Sequence, residues 1–182
     1  MRELSLHILD VVQNSLGAKA SVIEINIEEN IKKDLLIIEI KDNGSGMDEK
    51  MTKKVMDPFF TTRTTRKVGL GIPLFVHAAK SCGGDFKIQS EKGKGTAIEA
   101  SFVLSHIDRA PIGSMADTMV SLVAMRPDVD FVYRHCVGDQ VFILDTQEIK
   151  KTLQEVPLNN PMVLDWIKRF IEDNLKEING GA

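Results

Sequence analysis

The sequence predicts an α+β fold: a two-layer α/β sandwich with a mixed but mainly antiparallel four-stranded sheet, helices on one face, and a small α+β C-terminal domain. Four segments in the first 104 residues alternate apolar and polar side chains with the period of two typical of strands. They occur as two neighbouring pairs joined by short segments, so each pair is predicted to form an antiparallel hairpin. The strand segments are residues 21–29, 35–41, 85–90 and 96–104. Two segments with helical spacing, residues 2–16 and 72–81, supply the second layer.

Composition is that of a globular protein and argues against several classes of function. Of the 182 residues, 43% are hydrophobic and 27% are charged, and no apolar run approaches the roughly 18 residues of a membrane helix. The net charge is −3, and neither half has the basic excess of a nucleic-acid-binding protein. The N-terminus lacks a secretion signal, and Cys82 and Cys136 lie far apart. We therefore expect a cytoplasmic protein that binds neither nucleic acid nor membranes.

The first predicted helix carries two polar residues, Asp10 and Asn14, four positions apart and therefore on one helix face. That face lies beside the apolar stripe, so both side chains would face a cleft at the edge of the core. The alternative is that both face solvent, which is the usual position for such a pair. His7, one turn before Asp10, is interpreted as a packed or surface residue.

An aspartate, Asp42, stands where the second predicted strand ends, and Gly44 and Gly46 follow it closely. A buried carboxylate is unfavourable unless a group donates a hydrogen bond to it. Glycine lets a ligand approach the backbone closely. An amino group on a flat heterocycle such as adenine would provide the donor. Taken alone, however, the segment is better explained as an ordinary turn.

A segment rich in threonine and basic residues, 57–71, has no apolar period and is predicted to form a loop. Its last glycines, Gly69 and Gly71, lead into the helix over residues 72–81. A glycine loop that enters a helix N-terminus offers free N–H groups and the positive end of the helix dipole to a phosphate. Three basic side chains in the same segment favour this interpretation: Arg63, Arg66 and Lys67.

Residues 105–182 contain no recognisable motif. Residues 105–114 predict a linker, and beyond it the pattern predicts a helix, a hairpin and two further helices, the first of these two capped by Thr146. The predicted elements are residues 115–125, 130–136, 140–145, 147–155 and 161–177. The apolar side chains of the last helix would form the core of this domain. Alternatively, Trp166 and Phe170 would form a surface for a partner protein.

Five segments of the first 104 residues, taken in order, resemble the motifs of one ATP-binding domain. It is shared by sensor histidine kinases, DNA gyrase, the mismatch-repair ATPases and the heat-shock chaperone ATPases. The segments are residues 10–18 (similar to the N box), 42–47 (first glycine box), 57–63 (the F box of histidine kinases), 69–72 (second glycine box) and 93–96 (final glycine box). Each motif alone is weakly specific, but the ordered set is specific.

The resemblance implies a role for each matched residue. Asp42 would accept a hydrogen bond from the adenine amino group, and Thr96 would reach the same end of the base through water. Asn14 would coordinate a Mg²⁺ ion that bridges the phosphates, a role for which an amide oxygen is suitable. The other residues implied to contact ATP are Gly44, Gly46 and Met47 near the base, and Arg63, Lys67, Gly69, Leu70 and Gly71 in a lid over the phosphates.

Two positions depart from the family pattern. The residue four before Asn14 is usually glutamate, and here it is Asp10. The resemblance implies that Asp10 is the catalytic carboxylate, which orients a water or a hydroxyl, although it is one methylene shorter. Histidine kinases often have a basic residue three positions after the asparagine, and here that residue is Gly17. The N box is therefore more similar to gyrase and the mismatch-repair ATPases, whereas the F box is similar to histidine kinases.

The resemblance implies an ATP-dependent protein kinase, of the histidine or anti-sigma type, that acts on a separate partner protein in signalling. The first motif begins within ten residues of the start, so we expect no helical hairpin with a phospho-accepting histidine before it. His7 lies inside the first helix and cannot swing to its own ATP. Two alternatives from other classes remain: an ATP-gated protein-binding switch and a slow ATPase.

Overall fold

The computed structural model describes residues 3–57 and 71–179. Helices and strands alternate irregularly along this part of the chain. The elements are α1 (Leu4–Gly17), β1 (Val22–Asn30), β2 (Leu35–Asp42), α2 (Glu49–Lys54), α3 (Gly71–Ser81), β3 (Phe86–Glu91), β4 (Gly95–Val103), α4 (Met115–Met125), β5 (Asp130–Val137), β6 (Gln140–Asp145), α5 (Thr146–Leu153) and α6 (Pro161–Asn179).

The strands form one sheet in the order β3-β4-β2-β1-β5-β6. All neighbouring pairs are antiparallel except β1 and β5, which run parallel. One face of the sheet is apolar and packs against the helices, as at Ile25 and Ile38, whereas the other carries charged side chains such as Glu24 and Glu99. The predicted α+β class, with a mixed and mainly antiparallel sheet, is therefore confirmed.

The sequence predicted a four-stranded sheet and a separate C-terminal hairpin. In the structure, the C-terminal strands β5 and β6 belong to the same six-stranded sheet. β5 pairs with β1 from Val22 opposite Asp130 to Glu29 opposite Val137, so the sheet continues into the C-terminal part of the chain. In a four-stranded sheet the edge of β1 would leave a row of backbone groups unpaired, and β5 supplies their partners. The two-domain division thus remains a prediction about independent folding, and residues 105–114 connect β4 to α4.

That connecting segment also caps α1. The N–H groups in the first turn of a helix have no partner within the helix, and the side chain of Glu3 does not cap them. Instead, Leu4 N–H donates to the carbonyl of Pro111 at 2.9 Å, and Ser5 N–H donates to that of Ile112 at 2.8 Å. The helix with the predicted catalytic and metal-binding residues is thereby fixed by the C-terminal half of the chain.

A chain of buried hydrogen bonds joins β5 to β1. His135 Nε2 lies 2.7 Å from a carboxylate oxygen of Glu29, and His135 Nδ1 lies 2.7 Å from the hydroxyl of Tyr133. Because a carboxylate only accepts, Nε2 donates to Glu29, and in the neutral imidazole Nδ1 accepts from the tyrosine. Burial and the nearby Glu29 raise the pKa of Tyr133, so its hydroxyl keeps this proton. These bonds satisfy polar groups that would otherwise be unpaired in the core.

The predicted cap of α5 is wrong. Asp145, rather than Thr146, caps this helix by accepting a hydrogen bond from Gln147 N–H at 2.8 Å. Thr146 is fully buried, and its hydroxyl oxygen accepts from Phe131 N–H at 2.8 Å. This contact joins the start of α5 to β5, and it depends on strand pairing that a local pattern cannot reveal.

The last helix, α6, covers the C-terminal strands. Its buried residues Val163, Ile167 and Ile171 belong to the core. Trp166 is 50% exposed and stacks on Phe170 with a centroid separation of 4.9 Å. A partner surface around Trp166 remains a prediction. Within the described part of the chain, no helix combines the length and apolar character needed to cross a membrane.

Candidate functional site

The strands β3, β4 and β2 are neighbours in the sheet, and their ends that carry Ser90, Thr96 and Asp42 lie close to α1. Asp42 lies opposite Thr96, and Thr96 lies opposite Ser90, so the three side chains form one row across the sheet. Their positions continue the buried face of each strand, which is the face covered by helices. A cleft of about 390 Å³ opens at this end. It is lined by all three residues and also by Lys41, Gln89 and Ala97, whose positions alternate onto the charged face of the sheet. The structure thus brings the predicted base-binding residues Asp42 and Thr96 together.

The Asp42 carboxylate is held through both of its oxygens. Ser15 Oγ donates to Oδ2 at 2.6 Å, and Gly44 N–H donates to Oδ1 at 2.9 Å. Both donors fix the plane of the carboxylate, and each oxygen retains a lone pair for a further donor. Ser15 is buried on α1. Its role was not predicted from the sequence, although a hydroxyl on the apolar stripe of that helix is a signal that could have identified it.

Close backbone packing explains the glycines of this site. Gly46 has φ 63°, and a Cβ there would lie 1.9 Å from the carbonyl oxygen of Glu91. Gly95 has φ 116°, and a Cβ there would lie 1.9 Å from the carbonyl oxygen of Asp42. Only glycine tolerates both conditions. The loop after β2 and the turn between β3 and β4 therefore pack directly against each other, and Gly93 N–H donates to the Ser45 carbonyl at 2.7 Å.

A second residue missed by the sequence analysis, Ser90, links the loop to β4. Met47 N–H donates to Ser90 Oγ at 2.8 Å. The same hydroxyl lies 2.8 Å from Thr96 Oγ1 and donates to the carbonyl of Gly95 at 3.1 Å. Met47 and Thr96, both predicted to bind the nucleotide, are thus joined through Ser90.

The other predicted residues lie on α1 and at the start of α3. Asp10 is half-buried and faces Gly71: a Cβ on Gly71 would lie 3.2 Å from that of Asp10. Asn14 is exposed one turn further along α1, on the same helix face. The structure thus places the predicted catalytic carboxylate at the first residue of α3. The remaining predicted residues lie outside the described ranges: Arg63, Lys67, Gly69 and Leu70, together with Arg66.

His7 is buried one turn before Asp10. Its ring stacks on Phe75 of α3 with a centroid separation of 5.1 Å, and its Nδ1 has no hydrogen-bond partner among the described residues. Burial, with a smaller effect from the positive N-terminus, lowers the pKa of His7 from 6.5 to about 4. Its imidazole is therefore neutral near pH 7. The ring is packed between α1 and α3, which is one of the two positions expected from the sequence.

The family model described as "Histidine kinase-, DNA gyrase B-, and HSP90-like ATPase" matches residues 2–106. This range contains every residue of the site described above. The chain belongs to this family of ATPases.

Curated relatives of this ATPase domain include three bacterial kinases. Sporulation kinase C of Bacillus subtilis is 30% identical over 93 residues, which are 50% of this chain and 21% of the relative. Sensor protein kinase FleS of Pseudomonas aeruginosa is 30% identical over 110 residues (60% and 27%). Sensor histidine kinase WalK of Bacillus subtilis is 32% identical over 96 residues (49% and 16%). The matched segments thus span between 16% and 27% of these relatives.

Two solved structures share the fold of this chain. The N-terminal domain of a DNA repair protein gives a TM-score of 0.55 at 15% identity, covering 80% of this chain and 53% of that one. The Aquifex aeolicus MutL ATPase domain complexed with ADP gives 0.51 at 16% identity, covering 85% and 70%. Because the family model ends at residue 106, the similarity in fold extends into the C-terminal part of the chain.

The pH dependence of stability should depend on His7. Below pH 6.5 the unfolded chain binds a proton that folded His7 rejects until about pH 4. The contribution of His7 to the free energy of unfolding is therefore most favourable above pH 6.5, and it decreases as the pH falls towards 4. His7→Phe keeps a ring against Phe75 without a titrating group. The slope of the free energy of unfolding against pH, measured with urea between pH 4.5 and 7, should become shallower. The exposed His77→Gln variant serves as control, and an unchanged slope in His7→Phe would refute the assignment.

The packing at Gly46 can be separated from its backbone strain by comparison with Gly93. Both have positive φ, 63° and 84°, so alanine is strained by about 1–2 kcal/mol at either position. Only at Gly46 would the new Cβ meet a neighbouring carbonyl, since nothing lies within 4 Å of one at Gly93. Thermal unfolding should therefore show a larger loss of Tm for Gly46→Ala than for Gly93→Ala. Equal losses would contradict the packing described.

Proposed function

We propose that this chain binds ATP at the Asp42 end of the sheet and transfers its γ-phosphoryl group to a separate partner protein. The observation that carries the proposal is the Asp42 carboxylate, which Ser15 and Gly44 N–H hold at the edge of the cleft. A carboxylate fixed in this way accepts hydrogen bonds and offers none. The exocyclic amine of adenine donates hydrogen bonds and is therefore a suitable partner for this carboxylate.

Each residue of the cleft has a proposed part in binding. Asp42 would accept from the adenine amine, and Thr96 would contact the same end of the base through water. The backbone of Gly46 and Met47 would lie against the ring. Gly44 would act by fixing the carboxylate, because its N–H is already donated to Asp42. The basic and glycine residues of 63–71 would close over the phosphates.

A magnesium ion would have to be held largely by the phosphates of the nucleotide. Within residues 3–57 and 71–179, no group of three or more histidine, cysteine, aspartate or glutamate side chains could hold a metal. Asn14, exposed on α1 next to Ser15, would offer one amide oxygen. This donor set fits Mg²⁺, which commonly takes one or two protein ligands plus phosphates and water. When bound, the ion would neutralise charge on the phosphates.

Asp10 is the proposed general base. It lies on the face of α1 that carries Asn14 and abuts Gly71, the first residue of the helix that follows the proposed lid. From there its carboxylate would orient the attacking group of the partner protein. Phosphoryl transfer depends mainly on such positioning and on charge stabilisation. A shorter side chain than glutamate would require the acceptor to approach α1 more closely.

The proposed acceptor is a protein in the cytoplasm rather than nucleic acid or a membrane. The chain carries 26 acidic and 23 basic residues, so it lacks the net positive charge that would attract nucleic acids and anionic membranes. The relatives, which are named sporulation kinase and sensor kinases, favour signalling by phosphorylation. The second candidate is an ATP-gated switch, favoured by the contact between Asp10 and Gly71, through which nucleotide binding would move the lid.

Label transfer from γ-labelled ATP separates these functions. The protein is incubated with candidate partner proteins that it retains in the presence of ATP. Label on a retained protein, lost in the Asp10→Asn variant, supports the kinase. ATP-dependent retention without label supports the switch, and labelled phosphate released without any partner supports a slow ATPase. No binding of ATP by the wild-type chain would refute all three.

The site should prefer ATP to GTP. Guanine presents a carbonyl where adenine presents its amine, and two opposed acceptors in a buried site cost about 1–3 kcal/mol. Asp42→Asn replaces one acceptor by an NH₂ group and should weaken ATP binding by at least about tenfold, measured by calorimetry. Asp48→Asn is the control, because it makes the same charge change at the cap of α2. Equal affinity for ATP and GTP would contradict the role of Asp42.

Asn14 should act through the metal. Asn14→Ala is expected to weaken ATP binding in the presence of Mg²⁺ by about tenfold, the size of one lost metal or hydrogen-bond contact. Binding measured in EDTA should change little. The exposed Gln13→Ala on the same turn of α1 serves as control. If Asn14→Ala weakens binding equally with and without Mg²⁺, Asn14 is not a metal ligand.

A further inference from the structure

Ser90 lies between Met47 and Thr96, the two residues that it joins and that are both proposed to contact the base. It is the inward-facing residue of β3 opposite Thr96, and it is half-buried. Its hydroxyl has three neighbours within hydrogen-bond distance: Met47 N–H at 2.8 Å, Thr96 Oγ1 at 2.8 Å and the Gly95 carbonyl at 3.1 Å. No other side chain described in the cleft contacts so many of its polar groups.

The number of protons decides the direction of these bonds. A serine hydroxyl has one proton and two lone pairs. Met47 N–H can only donate, so it takes one lone pair, and the Gly95 carbonyl can only accept, so it takes the proton. The second lone pair is then left for Thr96, whose hydroxyl must donate to Ser90. This is the one arrangement that satisfies all three contacts at once.

The direction of the Thr96 hydroxyl determines what the cleft offers to a base. With its proton directed at Ser90, Thr96 presents only lone pairs to the cleft. Its neighbour across the β2–β4 pair is Asp42, whose carboxylate also only accepts. The base end of the cleft therefore presents two acceptors side by side, directly or through a water molecule, and no hydroxyl donor.

We propose that Ser90 is a specificity-determining residue, which fixes the Thr96 hydroxyl as an acceptor and so selects 6-amino purine nucleotides over 6-oxo purine nucleotides. This inference rests on the proposed nucleotide-binding function. Ser90 itself acts through Thr96 and need not touch the base. Without Ser90, the Thr96 hydroxyl is free to rotate and to donate its proton to a 6-oxo group, which the wild-type arrangement prevents.

The test compares the affinities of the full chain for ATP and inosine triphosphate, which differ at the 6-position of the purine and in the proton that the 6-oxo base carries at N1. In Ser90→Ala, binding of ATP should weaken and binding of inosine triphosphate should weaken less or strengthen. The preference for ATP should therefore fall by about fivefold to tenfold, the size of one hydrogen bond. Ser90→Thr keeps the hydroxyl and should keep the preference. Ser101→Ala removes a hydroxyl that binds Asp85 in the same pair of strands and should also keep it.

Two outcomes would overturn the inference. If Ser90→Ala weakens both nucleotides equally, the serine only supports the backbone of Met47. If Thr96→Val leaves the preference unchanged, Thr96 does not read the base, and this variant decides the matter even where Ser90→Ala does not fold. Failure of the proposed function is distinguishable, because the wild-type chain would then bind neither nucleotide.

Discussion

The hydrogen bond from Ser15 to Asp42, 2.6 Å long, ties the helix layer to the sheet at the candidate site. It fixes the carboxylate at the end of β2, and the Gly44 N–H holds the other oxygen. A half-buried carboxylate without such donors would be strongly unfavourable. Since Ser15 and Asn14 are adjacent on α1, the same helix that orients the proposed base-binding group also carries the proposed metal ligand. A shift of α1 would move both.

The C-terminal part of the chain stabilises this arrangement from a distance. Carbonyls of Pro111 and Ile112 cap α1, and β5 covers the edge of β1. The buried bonds from Glu29 through His135 to Tyr133 join the same two strands. Residues beyond the family match therefore support the helix of the candidate site.

Local patterns predicted the parts of the structure that depend on local causes. Alternation and helical spacing predicted the strands and helices, and Asp42 could be named because it stands at a strand end beside glycines. Thr96 was named through the resemblance of residues 93–96 to the final glycine box. Ser15 and Ser90 were missed because their importance arises from contacts to Asp42 and Met47, which lie 27 and 43 residues away along the chain. The same reason explains β5 beside β1 and the error at Thr146, where strand pairing rather than the local sequence decides the contact.

The central claim is that the Asp42 carboxylate recognises the amino group of adenine. A crystal structure of the chain with Mg²⁺ and a non-hydrolysable ATP analogue tests it most directly. The account predicts the exocyclic nitrogen of the base within about 2.7–3.2 Å of an Asp42 oxygen, with the Ser15 bond to the other oxygen retained. A base bound elsewhere, or an adenine amine directed away from Asp42 while the phosphates occupy the cleft, would contradict it.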